Sequence, residues 1–186
     1  MDELTRLLRA AQGGDRLALA SFIRRSQAEV WRLCAYLVDR QAADDLTQEV
    51  YLRAWIALPG WRGEASARTW LLAIARRTCA QAIRRRRWPL IPLAEPAADD
   101  HRVVPDPDET VLLYQLIAGL DPQRRAALVL TQLLGLSYAE AAEVCGCPIG
   151  TIRSRVARAR ADLTDQLRDS GLAPASATTP IPDPAR

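Results

Sequence analysis

Lysine is absent from this chain of 186 residues, and all 25 of its Lys or Arg positions are arginine. Genome base composition can produce such a bias without any functional cause. Arginine nevertheless holds phosphates and base edges with a planar fork that lysine lacks. The use of arginine at every basic position is therefore compatible with nucleic-acid binding but does not by itself indicate it.

Residues that bind metals or form disulfides are scarce. The one histidine, His101, lies in a proline-rich strip, and Cys145-Gly-Cys147 has no matching His or Cys pair. Cys34 and Cys79 stand far apart within helical patterns, so the four cysteines form no disulfide framework. We expect all four to be reduced, mostly buried thiols, and we predict no metal site, no cofactor and no catalytic group.

Long apolar runs are also missing. No stretch reaches the roughly 18 apolar residues that span a membrane, and the opening MDELTRLLRA is charged, unlike a signal peptide. We therefore expect a cytoplasmic protein without membrane insertion. Alternating strand patterns are absent as well, whereas apolar residues recur at helical spacing, which predicts an all-α fold.

Charge and proline divide the chain into segments. Residues 1–88 hold 16 arginines against nine acids, whereas residues 89–108 hold five prolines and five acids against one arginine. The second composition is typical of a flexible linker. We predict two small helical domains, 1–88 and 109–170, joined by this Pro/Asp-rich linker, and a disordered tail at 171–186.

Helix boundaries follow from capping residues and breakers. Asp121 with Pro122 marks one start, and Ser137 with Glu140 forms a capping box at another. The predicted helices cover about 3–12, 15–38, 42–58, 67–87, 109–119, 122–134, 137–144 and 149–168.

The helix at 67–87 ends in four consecutive arginines. On a helical wheel its core face holds Leu71, Leu72, Ala75, Cys79 and Ala82, while the polar face holds Arg77, Gln81 and Arg84, with Arg76 and Arg87 at its edge. A solvated helix end, where positive charge is favoured, is one interpretation.

The loop before that helix favours a second interpretation. Trp61, Arg62 and Glu64 surround Gly63. A loop with an aromatic ring and charged side chains, next to a basic helix, is typical of proteins that bind an unstacked single strand of nucleic acid. Trp70 falls on the polar side of the helix. Stacking on a base and packing against a neighbouring helix explain it equally well.

A second arginine cluster lies at 137–163, which has the pattern helix, turn, helix. In its last helix Ile152, Val156, Ala159 and Leu163 form the predicted buried stripe, and the outer side carries Thr151, Ser154, Arg155 and Arg158. This pattern is typical of helix-turn-helix proteins that enter the major groove. An ordinary helical hairpin with an arginine-rich face is the alternative.

Three motifs in order, ADDLTQEVYLRAW, WRGEASARTWLLAIAR and GLSYAEAAEVCGCPIGTIRSRVARARADL, resemble bacterial sigma factors of the extracytoplasmic-function (ECF) class, in the sigma-70 family. The resemblance covers about residues 5–168. It implies a non-enzymatic transcription initiation factor that binds the clamp helices and flap of RNA polymerase core and recognises promoter DNA. Residues 1–88 would correspond to sigma region 2 and residues 109–170 to sigma region 4.

The resemblance also implies roles for particular residues. The surface for polymerase would hold Asp44, Asp45, Gln48, Glu49 and Arg53. The surface for the −10 element, including a loop that captures a flipped base, would hold Trp61, Arg62, Gly63, Glu64, Trp70, Arg76, Arg77, Gln81, Arg84 and Arg85. The surface for the −35 element would hold Thr151, Arg153, Ser154, Arg155 and Arg158.

Two alternative functions come from other classes. A helix-turn-helix regulator acting without polymerase would leave 42–66 unexplained and would bind palindromic DNA as a dimer. A thiol oxidoreductase using Cys145 and Cys147 would lack a Cys-x-x-Cys motif and any acid–base set.

Regulation is not encoded in a recognisable motif. Proteins of the ECF class are often held by an anti-sigma protein, and no feature of this sequence identifies one. As a hypothesis, the acidic linker or the C-terminal domain covers the basic face of 67–87 in the free protein.

Overall fold

The computed structural model describes residues 2–87 and 107–169, and these form eight α-helices without a strand. The predicted all-α fold is therefore confirmed. The helices are α1 Glu3–Gln12, α2 Arg16–Leu37, α3 Ala43–Ala57, α4 Ala67–Arg87, α5 Pro107–Ala118, α6 Pro122–Leu128, α7 Tyr138–Cys145 and α8 Ile149–Asp169. A 3₁₀ turn, Leu58–Gly60, follows α3, and a π-helical turn, Val129–Leu133, follows α6. The predicted tail and all of the predicted linker before Pro107 lie outside the described residues.

Side-chain caps start several of these helices. The carboxylate of Asp15 accepts from the backbone N–H groups of Leu17 and Ala18 at the start of α2, and Asp121 caps α6 in the same way. Ser137 and Glu140 form both hydrogen bonds of the predicted capping box at the start of α7. These bonds satisfy donors that a helix cannot satisfy within its first turn.

Helix α4 lies at the centre of the first bundle, against α1, α2 and α3, with α7 on a further side. Of its predicted core face, Leu71, Leu72, Ala75 and Cys79 are buried, whereas Ala82 is half-buried. Because helices cover α4 on several sides, only a narrow strip of it reaches solvent.

The second bundle consists of α5, α6, α7, α8 and the π-helical turn. Its core includes Val129, Leu130, Leu136, Ile152 and Val156, all at most 1% exposed. The predicted stripe of α8 is confirmed for Ile152, Val156 and Ala159, which are buried, while Leu163 is half-buried. Burial of this stripe orients the opposite side of α8 toward solvent.

The two bundles contact each other directly. The rings of Tyr36 in α2 and Tyr114 in α5 stack with centroids 4.3 Å apart, and the guanidinium of Arg40 lies over the Tyr114 ring at 5.3 Å. The pKa of Tyr114 is raised to about 12, mainly by burial and to a smaller extent by the neighbouring Tyr36. Arg125 of α6 donates to the carbonyl of Leu37 at 3.1 Å.

Helix α7 makes the larger contact, with α4. Arg68 of α4 pairs with Glu29 of α2 and also donates to the carbonyl of Leu134 at 2.5 Å, which joins the two bundles. All four cysteines are free, and Cys34, Cys79 and Cys145 are buried. In the described ranges no helix is long and apolar enough to cross a membrane.

Candidate nucleic-acid and polymerase interface

The loop between the 3₁₀ turn and α4 is anchored by a buried tryptophan. Trp61 is only 7% exposed, and its ring lies 6.0 Å from that of Trp70 in a tilted arrangement. Gln12 of α1 donates to the carbonyls of Leu58 and Trp61 at 3.0 and 2.9 Å. The Trp61 ring therefore packs inside the bundle instead of offering a face to a base in this arrangement, and Trp70 packs against the same core.

The polar residues of the same loop remain at the surface. Arg62 and Glu64 pair at 3.2 Å with most of each side chain exposed. Gly63 between them has a φ of +75°, which suits glycine, and an added Cβ would lie 3.0 Å from the Arg9 guanidinium. The loop thus presents one positive and one negative group on a fixed turn.

The arginines of α4 differ in how free they are. Arg77, Arg84 and Arg85 are exposed, whereas Arg76 is half-buried beside Cys145 of α7. Arg86 forms an ion pair with Asp39 at the end of α2. Burial tends to raise the pKa of Asp39, but hydrogen bonds from Arg86 and the backbone of Ala42 outweigh it and lower that pKa.

Glu49 and Arg53 do not share the surface of the other residues predicted for polymerase. Both are about two-thirds buried and pair with each other on the side of α3 that faces α4. Arg53 also donates to Oε1 of Gln81 at 2.5 Å, and Glu49 lies 3.9 Å from the Arg85 guanidinium. The structure thus brings them next to two residues predicted for the −10 element.

The outer side of α3 carries the remaining residues predicted for polymerase. Asp44, Asp45 and Gln48 are exposed, and Asp44 accepts a hydrogen bond from the Trp31 indole at 2.9 Å. The 100° helical period turns Glu49 away from Gln48, whereas Asp45, one turn before Glu49, lies at the border between the two sides.

Large exposed apolar side chains on that side of α3 and at the start of α2 were not predicted from the sequence. Leu52, Trp55 and Ile56 of α3 are 66%, 57% and 79% exposed, and Leu17 at the start of α2 is 80% exposed. Leu52 and Trp55 also line an apolar groove of about 470 Å³ that extends toward α2. On a helical wheel Leu52, Trp55 and Ile56 lie away from the buried stripe of Leu46, Val50 and Ala54, and this pattern could have indicated their exposure. Exposed apolar surface on this scale is typical of a protein-binding site.

Helix α8 exposes part of the surface predicted for the −35 element. Arg153, Ser154 and Arg158 are exposed. Thr151 is half-buried, and half-buried Arg155 donates to Cys147 Sγ at 3.4 Å and to the side-chain oxygen of Gln123. The side chain of Arg155 is therefore held within its own bundle.

The surroundings of Cys145 do not favour the thiol oxidoreductase. Burial raises the pKa of the Cys145 thiol despite the nearby guanidinium of Arg76, and a raised pKa opposes the thiolate that a redox enzyme needs. Within the described part of the chain, no three His, Cys, Asp or Glu side chains are grouped to hold a metal ion.

Family comparisons agree with the three motifs. The family models for sigma-70 region 2 and sigma-70 region 4 match residues 22–89 and 110–163. The probable RNA polymerase sigma-C factor of Mycobacterium bovis is 50% identical over 163 residues, which cover 86% of this chain and 88% of that protein. The RNA polymerase sigma-H factor of Pseudomonas aeruginosa is 34% identical over 170 residues, which cover 83% and 88% of the two chains.

Solved structures share the fold. CnrH, in a complex with the cytosolic domain of CnrY, has a TM-score of 0.71 at 23% identity, covering 90% of this chain and 99% of its own. The sigma factor RpoE, in a complex with the anti-sigma factor NepR from Bartonella quintana, has a TM-score of 0.65 at 24% identity, covering 81% and 96%. With both sigma regions present in order and a relative at 50% identity, the chain belongs to the ECF class of sigma-70 family sigma factors, initiation factors that bind RNA polymerase core and direct it to promoters.

Proposed function

We propose that this sigma factor divides its work among three separate surfaces, one for polymerase and two for promoter DNA. The observation that carries the proposal is the exposed apolar side of α3, which differs in chemistry from the exposed arginines of α4 and α8. Burial of apolar surface against another protein is favourable because it removes that surface from water. Arginine side chains instead form hydrogen bonds and ion pairs with phosphates and base edges.

The polymerase surface is the outer side of α3. Asp44, Asp45 and Gln48 border it, and the apolar centre consists of Leu52, Trp55 and Ile56. Exposed aromatic and aliphatic side chains with a polar rim are typical of interface hot spots. Glu49 and Arg53 are excluded from this proposed contact because they face α4.

The −10 surface consists of the 61–66 loop and the exposed strip of α4. Arg62 and Glu64 contact the unstacked base, and Gly63 sets their turn. Trp61 and Trp70 anchor the loop by packing against the core of the first bundle. Arg77, Gln81, Arg84 and Arg85 follow the strand, and Arg76 joins them when α7 moves away from α4.

The −35 surface is the exposed side of α8. Arg153, Ser154 and Arg158 reach the major groove or its phosphates directly. Thr151 lies at the helix start, and Arg155 must exchange its bonds to Gln123 and Cys147 for contact with DNA.

The chain acts without catalysis of its own, in the cytoplasm, where promoter and polymerase meet. Residues 1–88 and 109–170 serve as its functional domains, joined by 89–108 and followed by 171–186. An anti-sigma protein is a further proposed partner, in parallel with the RpoE–NepR complex. The contact of α7 with α4 supports the hypothesis that the C-terminal domain covers part of the −10 surface in the free protein.

Run-off transcription on a promoter library, with core polymerase and this protein, tests the proposal. We expect discrete start sites that require the protein. Trp55→Ala should weaken core binding about thirtyfold or more, since a central aromatic residue of an interface costs about 2 kcal/mol or more on truncation. Arg62→Ala and Arg158→Ala should leave core binding intact and reduce promoter selection.

Arg24→Ala, at an exposed site on α2, is the control and should change neither quantity. A failure to bind core polymerase, together with tight binding of palindromic DNA by the protein alone, would favour the autonomous regulator instead.

A further inference from the structure

The amide of Gln81 has only one chemically consistent orientation. Arg53 donates from Nη1 to this side chain at 2.5 Å, and a guanidinium has donors but no acceptor. The amide oxygen, not the amide nitrogen, must therefore point to Arg53. The amide nitrogen then points away, and it makes no hydrogen bond to any residue that the structure describes.

Arg53 is itself held in place. Its second terminal nitrogen pairs with Glu49, one turn earlier on α3, and that carboxylate also lies 3.9 Å from Arg85. The Arg53 and Glu49 side chains are 31% and 32% exposed, so the pair lies partly out of water against α4. A guanidinium held by Glu49 at one terminal nitrogen directs the other terminal nitrogen toward Gln81.

An unconstrained glutamine can present either a donor or an acceptor to a base. Arg53 holds the oxygen toward itself, so the NH₂ group is the end of the amide that is directed away from Arg53. Guanine and thymine present a keto oxygen on their major-groove edge, whereas adenine and cytosine present an amino group at the corresponding place. A donor directed at this exocyclic position favours the keto bases, because an amino group there would leave two donors facing each other. The N7 acceptor, which both purines carry, does not distinguish adenine from guanine.

We infer that Arg53 is a positioning residue that fixes Gln81 as a hydrogen-bond donor, so that the promoter position facing Gln81 favours guanine or thymine. The inference rests on the proposed role of α4 at the −10 element. It assigns Arg53 and Glu49 to base selection through Gln81, although α3 is otherwise the polymerase helix.

The test measures base preference by run-off transcription on a library randomised through the −10 element, and affinity for core polymerase separately. We expect the wild-type holoenzyme to favour G or T over A or C at one position by about three- to tenfold, the range of one net hydrogen bond. Gln81→Ala should remove that preference.

Gln81→Glu provides the sharpest outcome because its shape is unchanged. One carboxylate oxygen keeps the bond to Arg53 and the other presents an acceptor, so the preference should reverse to A or C. Arg53→Met should flatten the preference, since the amide can then turn either way, while core affinity stays within about twofold. Arg53→Lys retains a donor and should keep the preference.

Arg24→Met, at an exposed site on α2, controls for loss of a positive charge, and unchanged circular dichroism of each variant confirms its fold. An Arg53→Met protein that keeps the preference but loses core affinity would make Arg53 a polymerase contact and overturn the inference. So would a Gln81→Ala protein with an unchanged preference. Either result leaves the proposed function intact, whereas the absence of any start site with the wild-type protein would overturn both.

Discussion

Trp61 illustrates how one side chain can serve a DNA-binding loop without contacting DNA. Its ring packs beside Trp70 in the first bundle, and its indole N–H has no hydrogen-bond partner among the described residues. The loop carbonyls receive the side-chain amide of Gln12 instead. The position of Arg62 and Glu64 therefore depends on apolar packing beneath them.

Substitution of Trp61 should act through stability. Trp61→Ala should lower the free energy of unfolding by about 3–5 kcal/mol, because it removes a buried ring and leaves a cavity. Trp61→Phe should cost less than about 1.5 kcal/mol, since it keeps much of the volume and removes the unpaired N–H. Urea unfolding followed by circular dichroism measures both.

Arg62→Ala, one residue later and exposed, is the matched control and should change that free energy by less than about 0.5 kcal/mol. If Trp61→Ala left the unfolding curve unchanged but abolished transcription, Trp61 would contact the promoter directly and its packing role would be wrong.

At the scale of the element, the start of α7 shows how a short helix is specified. Ser137 and Glu140 exchange hydrogen bonds with each other's backbone N–H groups. Hydrogen bonds from the Ser137 hydroxyl and backbone lower the pKa of Glu140 below 4.5, and Arg68 of α4 adds to the effect. The same box therefore stabilises α7 and places its charge toward α4.

The lowered pKa predicts a pH-dependent contribution of Glu140 to stability. The unfolded chain holds its proton at higher pH than the folded chain, so the contribution is complete above about pH 4.5 and disappears as pH falls through the folded pKa. Glu140→Gln should lower the free energy of unfolding by about 0.5–1 kcal/mol at pH 7.

Below the folded pKa the same substitution should have little effect, because both side chains are then neutral. Thermal unfolding at pH 7 and at a pH below the folded pKa of Glu140 compares the two. Glu143→Gln, an exposed acid on the same helix, should not reproduce this pattern. An equal cost of Glu140→Gln at both pH values would show that charge has no part in the cap.

Local signals explain which parts of this fold could be predicted from the sequence. Asp15, Asp121 and the Ser137 box act within one turn of their own helix, and each predicted helix start lies within a few residues of the observed one. The buried stripes of α4 and α8 follow from helical periodicity in the same way. Trp61 could not be placed, because its burial depends on contacts with α1 and α4 that no local pattern encodes.

The candidate surfaces were less predictable for the same reason. Asp44, Asp45 and Gln48 face solvent, whereas Glu49, one turn after Asp45, and Arg53 are partly buried by contacts with α4. The apolar residues Leu52 and Trp55 could have been core residues as far as composition shows. Only the packing of α3 against α2 and α4 determines which side of α3 is left open.

At the scale of the whole molecule, the packing of the two bundles limits access to α4. Arg68 and Arg76 lie on the side of α4 that faces α7, and Tyr36 and Tyr114 join the bundles at a second point. Binding that requires the open arrangement is weakened by the fraction of molecules that are closed. Part of the closure energy comes from the tyrosine stack and from Arg40 above it.

Tyr114→Ala should therefore bind a single-stranded −10 oligonucleotide more tightly than the wild-type chain. Loss of about 1–2 kcal/mol of stacking and cation–π energy should raise the apparent affinity by up to about thirtyfold. Fluorescence anisotropy at fixed salt measures this affinity, because phosphate contacts make it strongly salt-dependent. Residues 1–88 alone should bind as tightly as Tyr114→Ala or more tightly.

Leu113→Ala is the matched control, since Leu113 precedes Tyr114 on α5 and is 39% exposed. It should bind the oligonucleotide as the wild type does. If Tyr114→Ala, residues 1–88 and the wild-type chain all bound with equal affinity, contact between the bundles would not restrict α4. Tighter binding by Tyr114→Ala, together with a shift of its small-angle scattering to larger dimensions, would tie DNA affinity to the separation of the bundles. The covered arginines of α4 become available only when the bundles separate.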